Sequence, residues 1–189
     1  LSERPLTVLA LGALFDYLSR TQITGLERMS ELELASDSAV MGLDLNARRN
    51  LELTETLRNK ERKGSLLWVL DRTKTAMGKR LIKAWLEQPL LSPAKITLRL
   101  NAVEELTQNR PLLDELTERL TGIYDLERIM TRIVYGSANG RELRSLSTAV
   151  SRIPGIKQLL ESCDATLLRN LNAQMDGLED ICRLVEAAI

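Results

Sequence analysis

Ser92-Pro93-Ala94-Lys95-Ile96-Thr97-Leu98-Arg99-Leu100-Asn101-Ala102-Val103-Glu104-Glu105-Leu106 is the stretch on which the fold class turns. It opens with a hydroxyl that can cap, followed by a proline whose missing N–H costs nothing at the first helical position. Ile96, Leu100, Val103 and Leu106 then recur at helical spacing, which predicts one apolar stripe. Pro111 opens a second helix carrying Leu112, Leu113, Leu116 and Leu120, closed by Gly122. Stripes of this kind must be buried against other helices, so the expected packing is a bundle.

Downstream, Leu126, Ile129, Met130 and Ile133 predict a short helix over about 125–135. Asn139 with Glu142 three residues on has the pattern of a capping box. The helix it starts carries Leu143, Leu146, Val150 and Ile153, and Pro154-Gly155 should break or kink it. Asp164 is the expected cap of the last segment. There Leu168, Leu171, Met175, Leu178, Cys182, Val185 and Ile189 alternate spacings of three and four, a heptad seam over three repeats. Glu179 and Arg183 form a favourable i,i+4 pair outside it. The seam predicts one long C-terminal helix. Its partner lies within this chain, in the rest of a longer protein, or in a second copy.

Upstream, Leu6, Leu9, Ala10, Ala13, Leu14, Tyr17 and Leu18 predict a helix over 5–22, with Pro5 in its first turn and Gly25 closing the segment. Residues 26–38 read as acidic and irregular, and 39–44 as a candidate short strand. Asp44 or Asn46 then caps a helix over about 46–57. Residues 58–64 form a polar, basic loop, and Ser65 caps an apolar turn over 66–70. Thr75 caps a helix that runs to about Glu87, before Pro89. Met77, Leu81, Ala84 and Trp85 share a face of that helix, while Lys79, Arg80 and Lys83 occupy others. The expected fold is therefore all-α: an irregular bundle of about seven to nine helices, with at most a short strand near 39–44.

Composition agrees with helices and removes most chemistry. Hydrophobic residues make up 44% of the chain and aromatics 3%, so the core must be built from Leu, Ile, Val, Ala and Met. There is no histidine, which removes the commonest general base and metal ligand. Two cysteines, Cys163 and Cys182, are too few for a four-cysteine zinc site and are read as reduced residues of helices. Gly78-Lys79 is followed by Arg80 and lacks the upstream glycine of a phosphate-binding loop. Acidic pairs such as Glu104-Glu105 and Asp114-Glu115 diverge around a helix and are read as solvated surface. Neither a secretory leader nor an apolar run approaching about 20 residues is present, so no membrane partner is expected and a reducing, cytoplasmic setting fits best. The chain begins at Leu1 and stops at Ile189 within an apolar pattern, which is expected of a segment of a longer protein.

Net charge is zero but uneven. Residues 1–57 carry 5 basic and 9 acidic side chains, 58–83 carry 9 and 2, and 84–189 carry 12 and 15. Only the middle block has a general attraction for nucleic acid. Arg58, Lys60, Arg62, Lys63, Lys79 and Lys83 are its candidate weak phosphate contacts, in company with Arg72, Lys74 and Arg80. The opposing reading is a solvated loop whose charges bridge neighbouring elements. Aromatic interleaving is poor, since Trp68 and Trp85 both occupy apolar positions.

Three stretches resemble a known family. Met41-Gly42-Leu43-Asp44 followed by Ala47-Arg48-Arg49-Asn50-Leu51-Glu52-Leu53 is similar to the opening of the core of MutS proteins. Gly64-Ser65-Leu66-Leu67-Trp68-Val69-Leu70-Asp71-Arg72-Thr73-Lys74-Thr75-Ala76-Met77-Gly78-Lys79-Arg80-Leu81, continuing into Trp85-Leu86-Glu87-Gln88-Pro89-Leu90-Leu91, resembles the family more closely. The third is Arg99-Leu100-Asn101-Ala102-Val103-Glu104-Glu105-Leu106, then Asp125-Leu126-Glu127-Arg128. The resemblance covers about 5–160, with mild departures at Gly42 and Lys74.

The resemblance implies a piece of a dimeric clamp that recognises mispaired DNA and uses ATP to signal repair. It implies 1–24 as the helix leaving a connector region, 25–160 as the core helical domain, and 161–189 as the start of a long lever helix. The lever's packing seam would be Leu168, Leu171, Met175, Leu178, Cys182 and Val185. No catalytic, cofactor or metal site is expected here. The family's Phe-x-Glu mismatch motif is absent, since Phe15 is followed by Asp16 and Tyr17, and so is its Walker loop. ATP, magnesium, mismatched double-stranded DNA, the homodimer partner and a MutL-type repair partner would engage the full-length protein. This piece would couple ATP state to DNA clamping. The alternatives are a helical dimerisation or adaptor module unrelated to DNA, and the core of a MutS relative acting in recombination.

Overall fold

The computed structural model describes residues 5–21 and 40–189, and among them the backbone is helical in eleven segments. Gly25, the acidic stretch 26–38 and Ala39 lie outside the described residues. The chain divides into two units, 1–36 and 37–189. In the first, α1 spans Pro5–Thr21 and starts on the proline, as the sequence predicts.

The second unit holds α2 (Leu45–Asn50), α3 (Leu66–Leu70), α4 (Ala76–Glu87), α5 (Pro93–Gln108), α6 (Arg110–Leu120), α7 (Leu126–Val134), α8 (Gly140–Val150), α9 (Ile153–Leu160), α10 (Thr166–Gln174) and α11 (Glu179–Ala188). Local caps start most of them. Asp44 accepts from the Ala47 N–H at 2.6 Å, Thr75 from Gly78 at 3.0 Å and Asn109 from Leu112 at 3.3 Å. Asn139 and Glu142 close the predicted capping box, each side chain 3.0 Å from the other's N–H. Each such oxygen satisfies an N–H that has no carbonyl partner within its helix.

Two apolar clusters sit among these helices. In the first, Ala102 of α5, Leu112 and Leu116 of α6, Ile156 and Leu160 of α9, Cys163, and Leu168 of α10 are buried together. In the second, Ile129 of α7 packs with Leu146 and Val150 of α8, and Cys182 of α11 borders them. The predicted inner faces of α6, α7 and α8 are thus the ones that pack, apart from Leu120 and Met130, which are exposed. α2, α3 and α4 contribute to neither cluster.

Several expectations are corrected. Extended backbone near 40–44 amounts to one bridge, Val40 to Leu90, with the Met41 N–H donating to the Pro89 carbonyl at 2.7 Å. Pro89 has no N–H to continue a ladder, and Asp44 already caps α2. The helix expected over 46–57 stops at Asn50, because Glu52 takes a left-handed φ of 48°. The carbonyls of Glu52 and Leu53 instead accept from Leu66 and Leu67 at 3.0 and 2.8 Å, supplying partners to the open first turn of α3. Pro154 falls in the first turn of α9, so the chain restarts a helix there.

On α5 the stripe is turned. Ala102 is buried with Leu106 against it, while Ile96, Leu100 and Val103 are 38, 59 and 57% exposed. α5 thus carries apolar residues on both sides, and the side bearing Ala102 and Leu106 is the one that packs. The C-terminal segment is two helices instead of one long lever helix. α10 ends at Gln174, and Leu178 takes a left-handed φ of 48° before α11. Asp176 and Gly177 are poor helix formers, and the Asp176 carboxylate accepts from the Leu178 N–H at 3.0 Å, which fixes the turn.

Candidate functional site

Charged side chains reach from one helix to the end of another throughout the second unit. Glu105 on α5 accepts from the N–H groups of Asp164 and Ala165, at 2.7 and 2.6 Å, just ahead of α10. It does the work expected of Asp164, and a carboxylate at that end opposes the positive pole of the helix. Lys157 on α9 donates to the carbonyls of Asn172, at 3.1 Å, and Met175, at the other end of α10. Arg152 donates to the carbonyls of Thr121 and Arg119, closing the C-terminal end of α6. Arg132 on α7 pairs at 3.0 Å with Glu142 in the first turn of α8. Glu105 at the start of α10, and Lys157 and Arg152 at the C-terminal ends of α10 and α6, have the sign that the helix end requires. Arg132 meets the carboxylate that α8 itself places in its first turn.

Two such joints organise the basic block. Asp71, its side chain 3% exposed, follows α3 and accepts from the Thr73 hydroxyl at 2.6 Å, the Thr73 N–H at 3.0 Å, and Arg62. The Thr73 hydroxyl first, then its N–H and Arg62, hold the carboxyl below its usual range against the opposing effect of burial. Arg80 on α4 forks onto Asp125, the N-cap of α7, at 2.9 and 2.7 Å, and onto Glu127 at 2.9 Å. Arg80 lowers the Asp125 carboxyl, and its own guanidinium is raised by both carboxylates. Beside it, Arg99 of α5 lies 3.5 Å over the Trp85 ring.

The candidate phosphate contacts divide. Arg62, Lys79 and Lys83 line one open cleft of about 380 Å³ with Arg80, Thr54, Leu67, Glu55 and Asp71. Arg62 and Arg80 are paired with carboxylates there, and Lys83 lies 3.8 Å from Glu87. Arg58, Lys60 and Lys63 stand apart on the exposed loop before α3. The cleft therefore brings acids together with its cations.

The seam residues also divide. Leu168 is buried in the first cluster and Met175 packs on it, whereas Cys182 borders the second and donates weakly to the Ser147 carbonyl at 3.7 Å. Leu171 is 45% and Leu178 36% exposed, and Val185 is half-buried. Both cysteines are free, and burial pushes the Cys163 thiol up. Gly78 lies inside α4 with its N–H taken by Thr75, and no metal-holding acidic or cysteine cluster occurs among the described residues. No helix among them is long and apolar enough to cross a membrane.

Sequence reasoning missed Glu105, Arg152 and Lys157. Glu105 sat inside a stretch already singled out but was read as solvated surface, and it instead accepts from two N–H groups about sixty residues on. Arg152 and Lys157 likewise act at partners more than ten residues away.

The comparisons with known proteins agree with one another. The MutS domain III family profile matches residues 46–189. A DNA mismatch repair protein MutS from Clostridium perfringens is 48% identical over 178 residues, 94% of this chain and 20% of that protein. One from Ruminiclostridium cellulolyticum is 46% identical over all 189 residues, 22% of its length. One from Caldanaerobacter subterraneus is 43% identical over the same span, again 22% of its length. The chain thus spans about a fifth of the curated relatives it matches.

Proposed function

This chain belongs to the MutS domain III family, and from that premise we propose that it is the helical core of a mismatch-repair protein, carrying displacement between a part that grips DNA and a part that turns over ATP. The observation that supports this is the set of cross-helix joints. A helix keeps its hydrogen bonds internally and moves as a rod. Rods pass on a tilt only if their ends are fixed to their neighbours, and here α6, α7, α8 and α10 are each held at an end by a charge from another helix. No residue of this chain performs a chemical step on this reading. Mismatched DNA, ATP with magnesium, a second subunit and a MutL-type partner are engaged elsewhere in the whole protein.

The coupling is carried by joints between short helices, with Arg80, Asp125 and Glu127 as the central one. The experiment is Arg80→Ala and Arg80→Lys in the intact protein. Mismatch binding should stay within about threefold of the parent. ATP-provoked release from end-blocked mismatched DNA should slow, more for alanine than for lysine, which keeps the charge but loses the fork. Unchanged release in a variant whose α7 amides exchange faster with solvent would sink the coupling.

A further inference from the structure

We infer that the basic turn ahead of α3 is a contact for the phosphate backbone of undistorted duplex DNA, made by Arg58, Lys60 and Lys63 and continued by Arg72 and Lys74. Residues 58–74 hold six cations and two acids. Arg62 and Asp71 pair with each other, and that pair ties the turn to the segment after α3 that carries Arg72 and Lys74. Five cations and Glu61 are left. All five are exposed, and no carboxylate among the described residues pairs with any of them. Burying such charges without partners is costly, so this surface stays open to solvent or meets anions, whatever else a larger protein packs around it.

The turn is held by its own hydrogen bonds. The Thr56 carbonyl accepts from the Lys60 N–H at 3.0 Å, and the Thr56 N–H donates to the Glu61 carbonyl at 2.9 Å. The Thr56 hydroxyl accepts from the Glu61 N–H at 3.3 Å. Ser65, fully buried, donates its hydroxyl to the Arg62 carbonyl at 2.7 Å. Lys60 takes a left-handed φ of 52°, a conformation that asparagine adopts more readily. Cations on a fixed turn give up less freedom on binding than cations on a loose one. Charge density selects the occupant. Duplex DNA carries one phosphate charge for about every 1.7 Å of its axis, so it meets several of these side chains at once in any register. Such contacts need only cationic side chains and no particular base sequence. An acidic protein segment would have to match the cations one by one.

The test combines Arg58→Ala, Lys60→Asn and Lys63→Ala in the intact protein, with nucleotide left out and a fully paired duplex as the probe. The logarithm of the association constant falls with the logarithm of salt by about 0.9 per phosphate contact, so the triple variant should lose about 2–3 from that slope. Affinity at about 0.1 M salt should fall at least about tenfold, and by the same factor for a mismatched duplex, because backbone contacts carry no sequence code. Arg58→Lys, Lys60→Arg and Lys63→Arg together should keep the slope, since every charge is retained. An unchanged slope in the first variant overturns the inference and leaves the cations to solvent or to an acidic protein. An equal loss in the second overturns it too, because charge would then not be what binds. Should the first variant fold poorly, the parent carries the test. A photoreactive side chain at the exposed Asn59 should cross-link to the paired duplex, and no cross-link overturns the contact. Both measurements are made without ATP, so this contact and the coupling by Arg80 can fail separately.

Discussion

Glu105 holds the start of α10 from a helix about sixty residues upstream, and two N–H groups depend on it. Replacing it with alanine leaves both donors without their partner, a loss of about 1–2 kcal/mol. Glu105→Gln keeps an acceptor without the charge and should lose about half as much, read as the urea midpoint of the folded chain. Nothing local to Asp164 announces this contact, because a capping signal is read within about four residues, and the local candidate turned out not to be the cap. Gly155 presents a case where two small effects oppose. A Cβ there would meet the tip of the Arg119 side chain, which is flexible and pairs with exposed Glu115. Losing that pair costs little, while alanine in a helix gains up to about 1 kcal/mol over glycine. Gly155→Ala should therefore leave stability unchanged or raise it by about 0.5 kcal/mol.

At the scale of elements, acid sensitivity should concentrate at the Asp71 turn and the start of α7. Both carboxyls are held below the unfolded value of about 3.9, so the stability they add is fully present above that pH. It is lost as pH falls through their folded values, so the window opens below about pH 4 and not near neutrality. Asp125→Asn keeps a capping oxygen but not the charge that Arg80 meets. Its urea midpoint should fall less steeply than the parent's between about pH 4 and 2.5, and an identical slope would remove Asp125 from the acid response. Helix starts were legible here because Asp44, Ser65, Thr75 and Asn139 act within one turn. The heptad run from Leu168 was misleading for the complementary reason. A spacing of three and four names the positions that face inward if the helix continues, and it is silent on Asp176-Gly177, where the chain turns and sends Leu168 and Cys182 to different clusters.

For the whole molecule, the division of labour between apolar clusters and charged joints sets which perturbation travels. Leu116 is buried at the centre of the first cluster, so Leu116→Ala should cost about 2–5 kcal/mol and lower the stability of α5, α6, α9 and α10 together. Arg80 belongs to neither cluster. It ties α4 to α7 through the partly buried Asp125 and the exposed Glu127, contacts at the surface that are individually weak and screened by salt. Arg80→Ala should therefore leave the exchange of α9 and α10 amides unchanged and speed that of α4 and the first turn of α7 by about three- to fivefold. Raising salt from about 0.05 to 0.5 M should imitate the substitution in the parent and add little to the variant, since the attraction it screens is already gone. Hydrogen exchange resolved by segment checks both arms. If Arg80→Ala instead loosened all helices equally, the joint would be part of the core's cooperative unit, and a tilt of α4 could not be passed to α7 without unfolding what lies between.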